Sequence, residues 1–279
     1  MRSYESELQI ATQIVCEAGQ KIVQLRKSGT LKIREKNHCD PVTEADLASH
    51  QIIEAGLLRH FPNDLLISEE GEQASSIENR CWIADPLDGT SNYLHGHDHV
   101  AVSLALYING LPKLGVVHAP FTGETFSAIA GYGAFKNGKR LHVPHDRKYQ
   151  FALIGTGFPH NRNCVPELLA RLKPLLMEIG DIRRLASPAL DVCWVVDGRL
   201  DGFIDRLKLW DIAAAGLIAI EAGAELARIS NDITEHEDGW DYIVAPSNLL
   251  EIMMSSMKVS YTDCITANAA IQYISQQGD

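Results

Sequence analysis

The sequence predicts an α/β protein of layered helices and sheets, and three observations carry that prediction. Residues 4–28 set Leu8, Ala11, Ile14, Val15, Ala18, Ile22 and Leu25 at helical spacing. Residues 100–135 read as successive strands separated by tight turns, the pattern of an antiparallel sheet. Beyond about residue 150 short apolar runs alternate with helical ones, which implies an α/β layered unit. With 279 residues, 46% hydrophobic and 22% charged, the chain suffices for one large domain or two modest ones.

Taken in order, the first helix spans 4–28 and ends before Gly29. Residues 31–34 alternate as a strand. Asp40-Pro41-Val42-Thr43-Glu44-Ala45-Asp46 then opens a second helix running through Leu58, with Thr43 as its N-cap and Asp46 at its third position. Residues 65–68 form a short strand that runs into Glu69-Glu70-Gly71-Glu72. Those acids are either solvated or gathered by a cation. Residues 81–84 form a buried strand. Strands at 100–108, 114–118 and 125–130 follow, with hairpin turns at Asn109-Gly110 and Asn137-Gly138. The apolar signal lapses near 144–150, and a boundary placed there divides the chain into 1–145 and 146–279. The second part reads strand 151–155, helix 165–179, strand 182–185, helix 189–196, strand 202–205, helix 211–222, and strands 224–227 and 242–245. A last turn of helix at 249–254 and a helix at 266–274 complete it.

Composition excludes several classes. A formal charge of −11 argues against broad binding to nucleic acid or anionic membranes, which needs a basic surface. No apolar run approaches the roughly 20 residues that span a bilayer. The N-terminus lacks the apolar core of a signal peptide, so a cytoplasmic location is expected. Six scattered cysteines without a Cys-x-x-Cys pair read as buried thiols rather than disulfides or a zinc site.

The chemistry concentrates in Asp85-Pro86-Leu87-Asp88-Gly89-Thr90-Ser91-Asn92. A buried strand delivers one carboxylate, Pro86 stops its ladder, and a second carboxylate follows three residues on. Gly89 allows a tight turn or close approach to a ligand, and the small polar residues after it suit the start of a helix that accepts phosphate. The stretch is either a Pro-Gly turn with solvated acids or a site for a divalent metal and a phosphate ester. Bound cations would reconcile an acidic protein with an anionic substrate. Asp211, before the Ala-rich run 213–215, is either an N-cap or an acid reaching across an interface. His95, His97 and His99 alternate, but no Cys or His elsewhere has the complementary spacing of a transition-metal site.

Together these segments resemble the inositol monophosphatase family of magnesium-dependent, lithium-sensitive phosphatases, over roughly residues 4–250. Residues 85–92 resemble its first signature and Trp210-Asp211-Ile212-Ala213-Ala214-Ala215-Gly216 its second. Residues 41–46 and Ser68-Glu69-Glu70 resemble its upstream acidic motifs. The resemblance implies an αβαβα sandwich of the inositol monophosphatase and fructose-1,6-bisphosphatase type, a homodimer, and two or three Mg2+ ions per site. It puts one ion on Glu69, Asp85 and the Leu87 carbonyl, a second on Asp85, Asp88 and Asp211, and a weaker third on Glu69 and Asp46. Catalysis is implied for Glu69, Thr90 and Asp46. Binding of a small phosphate monoester is implied for Asp88, Gly89, Thr90, Ala186, Ser187, Pro188, Asp205 and Asp211. Thr90-x-Asn92 is similar to the inositol monophosphatase branch. Ala186, Pro188 and Asp205 depart from the Gly, Ala and Glu common there, the segment 205–210 is one residue shorter, and Asp98 and His99 stand near a position often held by Pro.

Overall fold

The amphipathic spacing at the start of the chain produces α1 (Glu5–Ser28), closed by Gly29 at φ 71°, the left-handed conformation that glycine adopts without strain. The structure is a computed structural model that describes residues 4–29, 33–37, 40–71, 79–145, 147–159, 161–230 and 239–265. The strand expected at 31–34 is β1 (Ile33–Asn37), which pairs antiparallel with β2 (Asp40–Thr43). The second helix opens at Glu44, the residue after the expected cap, and residues 40–43 of the motif that leads into it form the strand. Pro41, which lacks an N–H, is compatible with this two-stranded ladder. Thr43 caps α2 (Glu44–His60) as its spacing predicts. Next come β3 (Leu65–Ser68), β4 (Arg80–Asp88) and the short α3 (Thr90–Leu94).

Pro86 does not end its strand. β4 continues to Asp88 through a bulge, with Asp85 opposite Ser103 and Asp88 opposite Ala101, so three steps on one strand face two on its partner. The proline sits in the irregularity, where no ladder hydrogen bond is asked of it, and its carbonyl accepts from Ser49 Oγ at 2.6 Å. From there β5 (Ala101–Ile108), β6 (Leu111–Ala119), β7 (Glu124–Ile129), β8 (Gly133–Lys136) and β9 (Lys139–Leu141) meander antiparallel. Asn109 and Gly110 (φ 53° and 77°) and Asn137 and Gly138 (φ 48° and 76°) both take the doubly left-handed turn that matches strand twist.

After Leu141 the chain leaves this sheet and builds a second one. Its elements are β10 (Leu153–Thr156), α4 (Val165–Leu176), β11 (Asp181–Arg183), α5 (Pro188–Val196), β12 (Gly202–Leu207), α6 (Leu209–Glu221), β13 (Glu225–Ser230), β14 (Trp240–Ala245), α7 (Ser247–Met257) and β15 (Ser260–Ile265). Strand β10 lies parallel to both β11 and β12, while β13, β14 and β15 run antiparallel. The helix expected at 165–179 stops at Leu176, just past Pro174. The one expected at 211–222 begins at Leu209. The helix expected at 266–274 lies outside the described residues.

Three apolar clusters hold five layers together. Alternate residues of β4 and β5 divide between two of them: Trp82, Ala84, Val102 and Leu104 pack on α1 and α2, while Cys81, Ile83, Ala101 and Ala105 face α5 and α6. Phe203, Leu207 and Val244 close α5 and α6 from the second sheet, whose other face carries α4 and α7 on Ile154, Ile204 and Ile243. The order is α1/α2, seven-stranded sheet, α5/α6, six-stranded sheet, α4/α7, the αβαβα sandwich. Small residues set the central spacing. A Cβ on Gly115 would stand 2.7 Å from the Ala214 carbonyl oxygen of α6. Among the described residues no helix is long and apolar enough to cross a membrane. Cys16, Cys81, Cys164 and Cys193 are free thiols.

Candidate active site

The parallel pair β3 and β4 ends where the sandwich opens into a cleft of ≈ 180 Å³. Glu69 follows β3 directly, Asp85, Leu87 and Asp88 belong to the end of β4, and Asp211 comes from the first turn of α6; all five line the cleft. Gly89 and Thr90 line it as well, at the start of α3. Gly89 has φ 93°, and a Cβ there would meet the Ala186 carbonyl oxygen at 3.0 Å and that of His99 at 3.1 Å. Only glycine turns the chain here without strain.

Asp211 is not the N-cap of its helix. It is the third helical residue and accepts the backbone N–H of Lys208 at 2.8 Å. Asp46 holds the same place in α2, accepting the Thr43 N–H at 2.8 Å and the Thr43 hydroxyl at 2.5 Å through Oδ2. Its other oxygen accepts from Thr90 Oγ1 at 2.8 Å. Asp46 is therefore buried behind Thr90, with both carboxylate oxygens engaged and no share in the cleft wall.

Burial and mutual repulsion dominate the electrostatics. Asp85 and Asp88 are each 2% exposed, and neither has an ion-pair partner among the described residues. Desolvation, then the charges of Glu69, Asp88 and Asp211, push Asp85 well above the usual carboxylate range. Desolvation likewise raises Asp88 to about 7, against the lowering effect of the Ser187 hydroxyl that donates to it at 2.5 Å. An unpaired buried carboxylate is costly, and a cation is the usual remedy. The donor set, carboxylates and a carbonyl at Leu87, consists of hard oxygens, which suit oxygen-seeking divalent cations such as Mg2+, Ca2+ or Mn2+. Among the described residues no three acids, histidines or cysteines form a closed metal cage. The fit therefore rests on donor chemistry and the uncompensated charge of Asp85 and Asp88.

The opposite wall belongs to the second sheet. Ala186, Pro188 and Asp205 line the cleft, whereas Ser187 is fully buried and directs its hydroxyl at Asp88 instead of the opening. Ala186 has φ 67°, an unusual conformation for a residue with a Cβ. Asn92 ties this segment to α3 by donating to the carbonyls of His99 and Leu185 at 2.7 and 2.6 Å. Asp205 is raised to about 8 by burial. It lies against Gly157, at which any side chain would collide with the carboxylate. The three alternating histidines do not converge. His99 pairs with Asp191 at 2.6 Å and meets the Trp194 ring edge-on, while His95 and His97 are exposed.

Asp191, Arg162, Arg184, Arg206 and Lys208 also line the cleft, although their sequence motifs give no hint of it. The available signal was positional: Arg184 and Lys208 each follow directly on a strand of the second sheet. Ligands of α/β sheets collect at such strand ends.

Layering and site together define a class of α/β proteins built around a buried oxygen-donor cluster at strand ends. The family model described as "Inositol monophosphatase family" matches residues 3–258. The chain is similar to "Inositol-1-monophosphatase" of Rhizobium meliloti, at 38% identity covering 77% of this chain and 83% of that one. It is 34% identical to "Nus factor SuhB" of Pasteurella multocida, covering 88% and 94%. Among solved structures, the extragenic suppressor protein suhB of Bartonella henselae superposes with a TM-score of 0.81 at 31% identity, covering 91% and 98%. The chain belongs to the inositol monophosphatase family, whose members are metal-dependent phosphatases.

Proposed function

We propose that the protein is a Mg2+-dependent phosphomonoesterase that hydrolyses myo-inositol monophosphates. The observation that carries this reading is the pair of buried carboxylates, Asp85 and Asp88, without cationic partners beside a glycine-turned helix start. Glu69, Asp85 and the Leu87 carbonyl are assigned to one Mg2+, and Asp85, Asp88 and Asp211 to a second. Asp46 is assigned a positioning role behind Thr90, in place of a share with Glu69 in a third ion. Bound Mg2+ supplies an acidified water and neutralises charge on the leaving oxygen.

The protein's own groups do the rest. With its proton directed at Asp46, the Thr90 oxygen presents lone pairs to an attacking water. Glu69 faces the same water from the end of β3 and takes its proton. The water oxygen forms a bond to phosphorus as the ester P–O bond breaks in line, and the departing alkoxide takes a proton from solvent while Glu69 returns its own to solvent. The Gly89 and Thr90 N–H groups hold phosphate oxygens. Asp205, Ala186 and Pro188 meet the alcohol. A homodimer in the cytoplasm is part of the same reading, and light scattering checks the dimer.

Phosphate release from myo-inositol 1-phosphate, histidinol phosphate, fructose 1,6-bisphosphate and 3′-phosphoadenosine 5′-phosphate, with and without Mg2+, tests the reading. A strong preference for histidinol phosphate removes inositol from it. A second reading, a Nus factor role without turnover, is favoured by the similarity to the Nus factor SuhB of Pasteurella multocida. The two part on Asp88→Asn, which abolishes phosphate release but leaves a non-catalytic role intact.

A further inference from the structure

One face of α4 carries Cys164, Glu167, Leu168 and Arg171 at successive helical turns and lies over Arg206 of β12 and Asp241 of β14. Charge is balanced there. Arg171 donates to Asp241 at 2.5 Å and to Glu167 at 2.6 Å, and Arg206 donates to Asp241 through Nε and Nη2 at 2.7 and 3.0 Å. Hydrogen bonding is not balanced. The Arg206 side chain is 5% exposed, and its third nitrogen, Nη1, is buried with no partner among the described residues. A buried guanidinium N–H without an acceptor is costly, and an anionic oxygen is the acceptor it matches best.

The second observation is space. A cavity of ≈ 10 Å³ lies among these side chains, with Cys164 and Arg206 both in its wall. It has room for about one water-sized group. Cys164 is half-buried, so a small oxidant can reach it. Its charge acts on the guanidinium: hydrogen bonds to Asp241 hold Arg206 above its ordinary range against desolvation, and the charges of Asp241, Cys164 and Glu167 add to them. Cys164 also stands at the start of α4, where the helix field favours an anion and no side-chain cap hydrogen bond forms. The other described cysteines are poorer nucleophiles. Burial pushes the Cys16, Cys81 and Cys193 thiols up, which suppresses the reactive thiolate.

We propose that Cys164 is a peroxide-oxidation site whose sulfenate oxygen fills this cavity and accepts the Arg206 Nη1 hydrogen bond. The thiolate sulfur attacks one oxygen of hydrogen peroxide, and an S–O bond forms as the O–O bond breaks. The departing hydroxide takes up the sulfenic proton and leaves as water. Sulfur gives up an electron pair and the peroxide is reduced. Pro159 and Asp205 border both this cavity and the catalytic cleft, so its filling is felt where the alcohol binds. That consequence rests on the phosphomonoesterase reading; the oxidation itself does not.

The test treats the full-length protein with hydrogen peroxide and maps the thiols by peptide mass spectrometry. Cys164 should gain oxygen about tenfold faster than Cys16, while Cys81 and Cys193 stay reduced. Equal rates at Cys164 and Cys16 overturn the inference. Cys164→Asp, which holds an anionic oxygen at the same remove from Cβ, should melt above the neutral isostere Cys164→Asn. That lead should vanish once Arg206→Gln is added. An Asp variant that melts at or below the Asn one, or a lead that survives Arg206→Gln, also overturns it. With Mg2+ and myo-inositol 1-phosphate, oxidised wild type should show KM raised about threefold at nearly unchanged kcat, and Cys164→Ser should not respond to peroxide. A KM that stays put in oxidised wild type refutes the coupling to the cleft. Absence of turnover before peroxide, with Cys164 still oxidised first, counts against the phosphomonoesterase reading and leaves the oxidation site standing.

Discussion

The buried carboxylate Asp88 makes a prediction that runs against the usual effect of removing a side chain from an active site. Burial raises it from 3.8 to about 7. At about 1.4 kcal/mol per pKa unit, holding it ionised in the fold costs roughly 4 kcal/mol. The sign follows from linkage. An acid whose folded pKa is raised binds more protons folded than unfolded, so stability falls as pH rises from 3.8 to about 7 and stays low above that. Asn carries no charge and keeps an acceptor for the Ser187 hydroxyl, so Asp88→Asn removes the cost. In EDTA the variant should therefore gain on wild type as pH rises. Between pH 5 and pH 8 the gain is roughly 2–3 kcal/mol, or about 5–10 °C in Tm for a chain of this size. With saturating Mg2+ the sign should reverse, because the cation stabilises wild type and not the variant. Thermal melts at the two pH values, with EDTA or Mg2+, give all four numbers. A pH-independent difference in EDTA, or an Asn variant that loses stability at pH 8 without metal, would refute the reasoning.

Three further outcomes are expected. Glu69→Gln and Asp211→Asn should each lower phosphate release by at least about 100-fold while leaving the circular dichroism spectrum unchanged; activity within tenfold of wild type removes that residue from the metal set. Gly115→Val should cost about 1–3 kcal/mol in urea unfolding, because a Cβ there already meets the α6 backbone at 2.7 Å, and a loss below 0.5 kcal/mol would show that α6 can shift (about the range of a neutral surface change). Ala186→Gly should leave stability unchanged or raise it by up to about 1 kcal/mol, since relief of the φ 67° strain outweighs the added unfolded-state freedom; a loss beyond 1 kcal/mol in the same urea assay counts against strain at that residue.

Local signals proved legible wherever local chemistry decides the structure. The two Asn-Gly turns, the Thr43 cap and the glycine end of α1 each follow from a few adjacent residues. The sequence could not show how far a neighbour's hydrogen bond moves a boundary. Asp211 has the composition of an N-cap, yet it occupies the third helical position because its carboxylate reaches back to Lys208. Pro86 looks like a terminator, yet the sheet absorbs it in a bulge against β5, a partner more than ten residues away. The acids of the cleft were readable because their order along the chain is itself a motif. Its cations were not, because Arg184 and Lys208 come to one cleft only when β11 and β12 align their ends on either side of β10. Ser187 shows the complementary case: it falls in the substrate-selecting segment but points inward, to a carboxylate 99 residues earlier.

The bulge at Pro86 has one more consequence, a matter of parity. Asp85 and Asp88 are three positions apart, and residues at an odd offset on an unbroken strand project from opposite faces. The extra residue turns that odd separation into an even one, which sends both carboxylates to the cleft side while Leu87 packs with Trp82 and Val102 on the other face. Register, then, is under tight constraint here. The same four residues threaded without the bulge would leave every metal ligand in the composition, yet send one of the two carboxylates through the sheet into the packing of α1 and α2.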